Sequence, residues 1–517
     1  MAESIASQGE MRRSLTLTGV TVNAMALIAP GAFLWTTFQA QAALQRNGQS
    51  TGGEMWTGLF FALVLALLTA YSYSELARIY PDAGTGSSYY FAEAALLQKS
   101  NPRHRSFARF AKISVGWISH LYYWIYPGIM VAFTATLFGY IWSSIFNHAL
   151  SYPALALVCI IFAFGTGYIA YRGITGSTMT SIVILVIQTV SLVGVSIWFI
   201  AYRLGHSGAV WELSNAARVV IPHSYVNMLY QSTIAILLLV GFESITALGA
   251  EAIDPGKNIR RGVIISLLIQ GGFCYLLEYF SANFAAGPHT LAAPAGTSGY
   301  AAAAADPAPI GTMLKQTISS GGTAISVVVA ITVLIALIGT TLACLNTGVR
   351  VTYSMARDKE MPSILGALHG SFATPHAGIW ILVTLSAALG IFGANPHQVD
   401  NLVQITLASN TGTFLVYGFT CIIAVVAFAS RHDRHPVKHY LLPGLGAFMN
   451  IAELIGVIYI ALTGSGTTPG DAVKAIGIVV GWCVVGFIWV LLNPSRRHAQ
   501  ELHLDRVAAG EAVPTKV

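Results

Sequence analysis

Leu237-Leu238-Leu239-Val240-Gly241-Phe242-Glu243-Ser244-Ile245-Thr246-Ala247-Leu248-Gly249 is apolar enough to lie inside a bilayer, yet a glycine and a carboxylate interrupt it near the middle. A charge at such depth costs at least about 2.5 kcal/mol, so an intramembrane Glu is by default a functional residue. A second interruption, Ala29-Pro30-Gly31, lies in the first apolar span, roughly two hundred residues earlier. Broken spans at corresponding places in two halves of a chain point to a transporter's binding site.

Working outward, the composition agrees with a membrane protein. Of the 517 residues 9% are charged and 55% hydrophobic, and the mean hydropathy is +0.65. Soluble domains carry about 25% charged residues. The apolar segments are near-continuous and roughly 20 residues long, the length of a helical span, without the ten-residue alternation of a membrane barrel. The net charge of +6 reads as basic loops facing anionic lipid, not as nucleic-acid binding. Cys159, Cys274, Cys344, Cys421 and Cys483 lack metal or pairing spacing and read as small hydrophobes. Met1–Arg13 is polar and short, which predicts no cleavable leader.

Twelve spans are expected, near residues 15–43, 56–79, 113–146, 153–170, 179–202, 226–250, 263–286, 324–355, 379–392, 399–429, 445–462 and 475–492. The third is long enough that it must tilt or extend past the membrane. Residues 288–316, rich in Ala, Pro, Gly and Ser, read as an external loop with little defined structure. On this map 22 of the 27 Lys and Arg fall on the side of the N-terminus, and Arg46, Arg203, Arg218, Lys315 and Lys474 on the other. That asymmetry puts both termini in the cytoplasm of a multi-pass protein of the inner (cytoplasmic) membrane.

Pro30 removes a helical hydrogen bond and suits the first position of a new helix. The N–H groups of Gly31, Ala32 and Phe33 would then point into the gap as an anion site, or the segment is a simple proline kink. For Glu243 three roles stay open: contact with a substrate amine, carriage of a proton, or capping of the second half of span 6. Ser244 and Thr246 offer hydroxyls to the same gap or bond back to the preceding turn. Glu278 in span 7 is the next intramembrane acid, a partner or second proton site. His120 and Glu453 read as structural. Asn346-Thr347 and Ser409-Asn410-Thr411-Gly412-Thr413 are polar clusters that line a pathway or bond between helices. The run His432-Asp433-Arg434-His435 looks like a metal cluster, but Pro436 disrupts its helical spacing, and no metal or cofactor is expected. A membrane enzyme would need a nucleophile–base or metal-ligand cluster, and the sequence offers neither.

Three motifs in order give a resemblance. They are Pro81-Asp82-Ala83-Gly84-Thr85-Gly86-Ser87-Ser88-Tyr89-Tyr90 before span 3, Gly241-Phe242-Glu243-Ser244 followed by Glu251-Ala252-Ile253-Asp254-Pro255-Gly256-Lys257-Asn258-Ile259-Arg260-Arg261, and Ala356-Arg357-Asp358-Lys359-Glu360-Met361-Pro362 after span 8. Together they resemble the amino acid–polyamine–organocation (APC) superfamily of permeases, from span 1 through span 10. The resemblance implies an all-α polytopic membrane protein with 12 transmembrane helices: a LeuT-like 5+5 inverted repeat, two extra helices, and broken helices 1 and 6. The parts would be a tail over 1–13, a first repeat over 14–204, a second over 205–430, the extra helices over 431–492 and a tail over 493–517.

It also implies alternating access by a secondary transporter for a small amino acid or related amine, coupled to H+ or Na+. A polyamine or amine importer, an uncoupled exchanger and a non-transporting nutrient sensor are the alternatives. The substrate contacts would be Ala29, Pro30, Gly31, Ala32, Phe33, Trp117, Val240, Gly241, Phe242 and Ser244, with Glu243 and Glu278 in proton coupling. Two departures qualify it. Members that bind α-amino acids often have Gly-Ser/Ala-Gly in span 1, where this chain has Ala29-Pro30-Gly31. Several proton-driven members have a lysine in span 5, where this chain has Gln188. Lysine-mediated coupling is thereby excluded.

Overall fold

The structure, a computed structural model, describes residues 15–28, 34–97, 105–173, 178–205, 213–248, 252–285, 299–372, 374–396, 400–466 and 468–492. Helices α1 (Leu17–Ile28) and α2 (Leu34–Ala43) flank the first interruption; Ala29, Pro30, Gly31, Ala32 and Phe33 themselves lie outside the described residues. A two-residue hairpin, β1 (Gln45–Arg46) with β2 (Gln49–Ser50), turns at Asn47 (φ 53°) and Gly48 (φ 73°). Asn-Gly is the pair that such a double left-handed turn favours. Next come α3 (Met55–Ile79), the short α4 (Ser88–Ala92) and the 42-residue α5 (Arg105–Phe146), at about 1.5 Å per residue longer than any bilayer core.

Helices α6 (Tyr152–Tyr171) and α7 (Thr178–Gly205) follow, then α8 (Leu213–Val220) and α9 (Tyr225–Ala235). After the central break come α10 (Pro255–Leu267), α11 (Leu276–Ala285), α12 (Gly299–Ala305), α13 (Pro309–Thr317) and the 36-residue α14 (Gly322–Arg357). The chain closes with α15 (His376–Gly393), α16 (Asp400–Ala429), α17 (Leu442–Thr463) and α18 (Thr468–Leu492). Pro sits in the first turn of α6, α10, α13 and α17, where its missing N–H costs nothing.

Among the described residues eleven helices are long and apolar enough to cross a membrane, with Leu17–Ala26 as a shorter apolar helix. The chain is therefore a multi-pass membrane protein. The expected first span falls short of that length because neither α1 nor α2 reaches it alone. The expectation of a structureless loop over 288–316 is corrected by α12 and α13. Ile310, Met313 and Leu314 of α13 are buried against the bundle, an apolar face that a reading of composition misses.

Large apolar side chains stand exposed along α6, α7 and α18, among them Ile161, Val190, Ile197, Val484 and Ile488. In a bilayer that is the lipid-facing belt; in water so large a patch would aggregate. The interior is one continuous cluster built on α3, α5, α14 and α16, around the interrupted span.

Candidate functional site

Helix α9 ends at Ala235, tightens into a 3-10 turn over Ile236–Leu238 and breaks, with Gly241 at φ 120°. A second 3-10 segment, Phe242–Leu248, continues the span where a second half-helix was expected. Only glycine adopts that backbone without strain. A broken helix leaves carbonyls and amides without partners, and inside a membrane each must find one.

The partners come from facing helices. Asn410 Nδ2 of α16 donates to the Thr233 carbonyl at 2.7 Å and to that of Ile234 at 3.4 Å. Tyr126 of α5 donates to the Leu237 carbonyl at 3.3 Å. Ser244 Oγ closes on the Gly241 carbonyl at 2.6 Å, and Glu243 Oε2 accepts the Gly241 N–H at 3.1 Å.

Glu243 is 1% exposed. Besides the Gly241 amide its carboxyl accepts the Tyr417 hydroxyl at 2.7 Å and that of Tyr123 at 3.5 Å. Every one of these groups donates, so the carboxylate form is the one they serve. Aromatic rings enclose it. Phe242 lies 5.3 Å from Tyr417 between ring centroids, and Tyr73 meets both edge-on at 6.0 and 5.9 Å. Beside them a narrow crevice is lined by Tyr122, Tyr123, Tyr126, Ser244, Cys344 and Thr347. Aromatic rings thus enclose the acid, and no lysine, arginine or histidine is among the residues lining the crevice.

The structure places Val240, Gly241, Phe242, Glu243 and Ser244 at one break, all buried. Trp117 stands apart: its ring stacks on Trp482 of α18 at 4.8 Å, and each indole N–H donates to the other's backbone carbonyl. Glu278 is buried on α11, which packs on α7, and among the described residues neither of its oxygens has a hydrogen-bond partner. Gln188 of α7 is equally buried and has no hydrogen-bond partner among the described residues, one turn beyond the Leu185 that packs on Val22 and Met25 of α1. His120 bonds to the Gly116 carbonyl and Thr352, a structural pattern. Of the polar clusters, Thr347 lines the crevice and Asn410 bonds between helices. The residues that sequence reasoning missed are Tyr73, Tyr122, Tyr123, Tyr126 and Tyr417. Their one available signal is the close spacing of Tyr122, Tyr123 and Tyr126.

The three sequence motifs surround this break from one side. Tyr73 shares hydrogen bonds with Ser88 of the first motif at 2.5 Å, and Ser88 with Thr420 at 2.8 Å. Lys112 pairs with Glu93 and, at 2.7 Å, with Asp358 of the third motif, which also accepts the Tyr89 hydroxyl at 2.9 Å. Arg260 of the second motif pairs with the buried Glu75 at 3.1 Å, and Arg78 with the same carboxylate at 2.8 Å.

Comparison with known proteins gives the same architecture a lineage. A family model described as "Amino acid permease" matches residues 14–492. The low-affinity putrescine importer PlaP of Escherichia coli (strain K12) is 26% identical over 485 residues, 92% of this chain and 95% of its own. The branched-chain amino acid permease BcaP of Bacillus subtilis (strain 168) is 23% identical over 507 residues, 94% of this chain and 92% of its own. The methylthioribose transporter of Bacillus subtilis (strain 168) is 23% identical over 398 residues, 74% and 77% of the two chains. A buried acid at a broken span, three motifs in order and a match across nearly the whole length converge: the chain belongs to the amino acid permease family.

Proposed function

We propose that this permease is a secondary transporter that moves an ammonium-bearing substrate, a small amino acid or related amine, across the cytoplasmic membrane by alternating access. The observation that carries this reading is Glu243, 1% exposed at the break of span 6 and enclosed by tyrosines. A fixed anion among aromatic faces recognises a cation, and its burial cost is met by three donors and then by the substrate.

In the same proposal the fold is the twelve-helix LeuT-like arrangement with both termini cytoplasmic, and Ala29, Pro30, Gly31, Ala32 and Phe33 are further substrate contacts. Glu243 is also the proton-linked group, since a proton and an ammonium compete for one carboxylate. Glu278 is the second candidate for coupling. An amine importer that needs no carboxylate on its substrate is the favoured second reading, because Glu243 lies at the break and no lysine, arginine or histidine is among the residues lining the crevice beside it. The likeness to a putrescine importer supports it.

Uptake into proteoliposomes across a panel of amino acids and polyamines, with and without a pH gradient, tests both readings. Glu243→Gln should lower uptake of the preferred amine at least about tenfold, the worth of one charge-assisted contact of about 1.5–3 kcal/mol. It should also flatten the pH dependence. Unchanged uptake in that variant at every pH would remove Glu243 from the mechanism. Ligand binding without accumulation in vesicles would mark a sensor.

A further inference from the structure

The appended span α17 carries a carboxyl of its own at the midpoint of the helix, and the interrupted span touches it. Glu453 is 0% exposed, as is Ser232 of α9, and Glu453 Oε1 lies 2.5 Å from Ser232 Oγ. That hydroxyl also lies 2.9 Å from the Leu229 carbonyl one turn back. A serine has a single hydroxyl hydrogen, and in an apolar helix it goes to the preceding turn. With the Ser232 hydrogen given to the Leu229 carbonyl, which has none to return, the short contact takes its hydrogen from Glu453.

The other oxygen agrees. Among the described residues Glu453 Oε2 has no hydrogen-bond partner, and no lysine, arginine or histidine pairs with it. A bare carboxylate there would be an unpaired charge at the centre of a span, whereas a neutral acid leaves only a carbonyl-like acceptor unsatisfied. Two titratable groups on the packed helices are engaged elsewhere. Tyr230 of α9 bonds to Thr463 at 2.7 Å, and Cys421 of α16 faces Thr69 of α3. Glu243 differs, since it has three groups able to donate to it, one of them a backbone N–H that can only donate.

We propose that Glu453 is a second intramembrane proton-binding group, held as the neutral acid, which donates to Ser232 and fixes the first half of span 6 to span 11. The neighbouring contacts make it a positioning residue for the break. Gly456 admits Leu229 closely one turn along: a Cβ there would stand 3.0 Å from the leucine side chain, which would have to give way slightly. Immediately after Ser232 come the Thr233 and Ile234 carbonyls that Asn410 holds. The lock therefore ends where the candidate site begins. It goes beyond the proposed function and depends on neither the substrate nor the coupling ion.

Infrared spectra of the full-length protein in H2O and D2O at neutral pH, for wild type, Glu453→Gln and Glu243→Gln, read the proton directly. The expected result is a protonated-carboxyl C=O band that shifts on deuteration, is lost in Glu453→Gln and persists in Glu243→Gln. In uptake assays Glu453→Gln should keep the rate within about threefold and the wild-type pH profile, because the amide donates the same hydrogen bond. Glu453→Ala and Ser232→Ala should lower the maximal rate about tenfold with little change in KM. A wild-type minus Glu453→Gln spectrum that lacks the acid band overturns the proposal. So does a Glu453→Gln protein that misfolds, loses uptake or shifts its pH profile. Should the alanine variants fail to fold, the infrared band and the glutamine rescue still decide.

Discussion

At the scale of residues, the hydroxyls around Glu243 are unequal. Tyr417 reaches the carboxyl at 2.7 Å, within the range of a strong charge-assisted bond, while the 3.5 Å contact of Tyr123 is near the limit of one. Tyr417→Phe keeps the ring and removes the stronger donor, so it should weaken substrate binding about tenfold, matching about 1.5–3 kcal/mol. Tyr123→Phe should change it less than about threefold. The ratio of KM values in vesicle uptake reads the difference, and equal effects would show that the ring positions matter more than the hydroxyls. Glu243 was legible in the sequence because a carboxylate in an apolar run has no bland explanation. The tyrosines were not, because an aromatic ring in a membrane span packs as readily in a core as around a ligand. Trp117 shows the converse: an aromatic chosen as a contact sits in a stacked pair with Trp482, away from the crevice.

At the scale of elements, the break of span 6 was readable from Val240-Gly241-Phe242-Glu243, but what holds it open was not. Asn410 lies 177 and 176 positions beyond Thr233 and Ile234, and no local pattern says that its amide will face their two orphaned carbonyls. Helices α12 and α13 were missed for a related reason, since an Ala- and Pro-rich run shows an apolar face only once a neighbour covers it. Asn410→Ala should leave the Thr233 and Ile234 carbonyls unsatisfied in a buried place, at a cost of about 1–3 kcal/mol. The expected outcome is a lower melting temperature of the purified protein and a fall in maximal uptake rate. Asn410→Asp should do no better, because a carboxylate cannot donate. Rescue by aspartate would mean that the amide's donor role is not what the break requires.

At the scale of the whole molecule, the three family motifs look unrelated in sequence and meet in space. Lys112, on neither of the first and third motifs, joins Glu93 to Asp358 while its ammonium lies 4.4 Å from the Tyr89 ring centroid. The trio is buried, with Lys112 side-chain exposure of 7% against 0% for Glu93 and 3% for Asp358. Removing the cation leaves two buried carboxylates facing each other, which is worse than having no ions at all. Lys112→Met should therefore destabilise the protein by about 3–5 kcal/mol, the cost of breaking a buried pair. Adding Glu93→Gln and Asp358→Asn to that variant should recover most of the loss, since the neutralised trio has no charge left to solvate. Melting temperatures of the single and triple variants in one detergent make the comparison. If the triple variant is no more stable than Lys112→Met, the motifs are held together by the packing of α4, α5 and α14 and not by this charge cluster. If it is more stable yet transports poorly, the clasp serves transport beyond its part in stability.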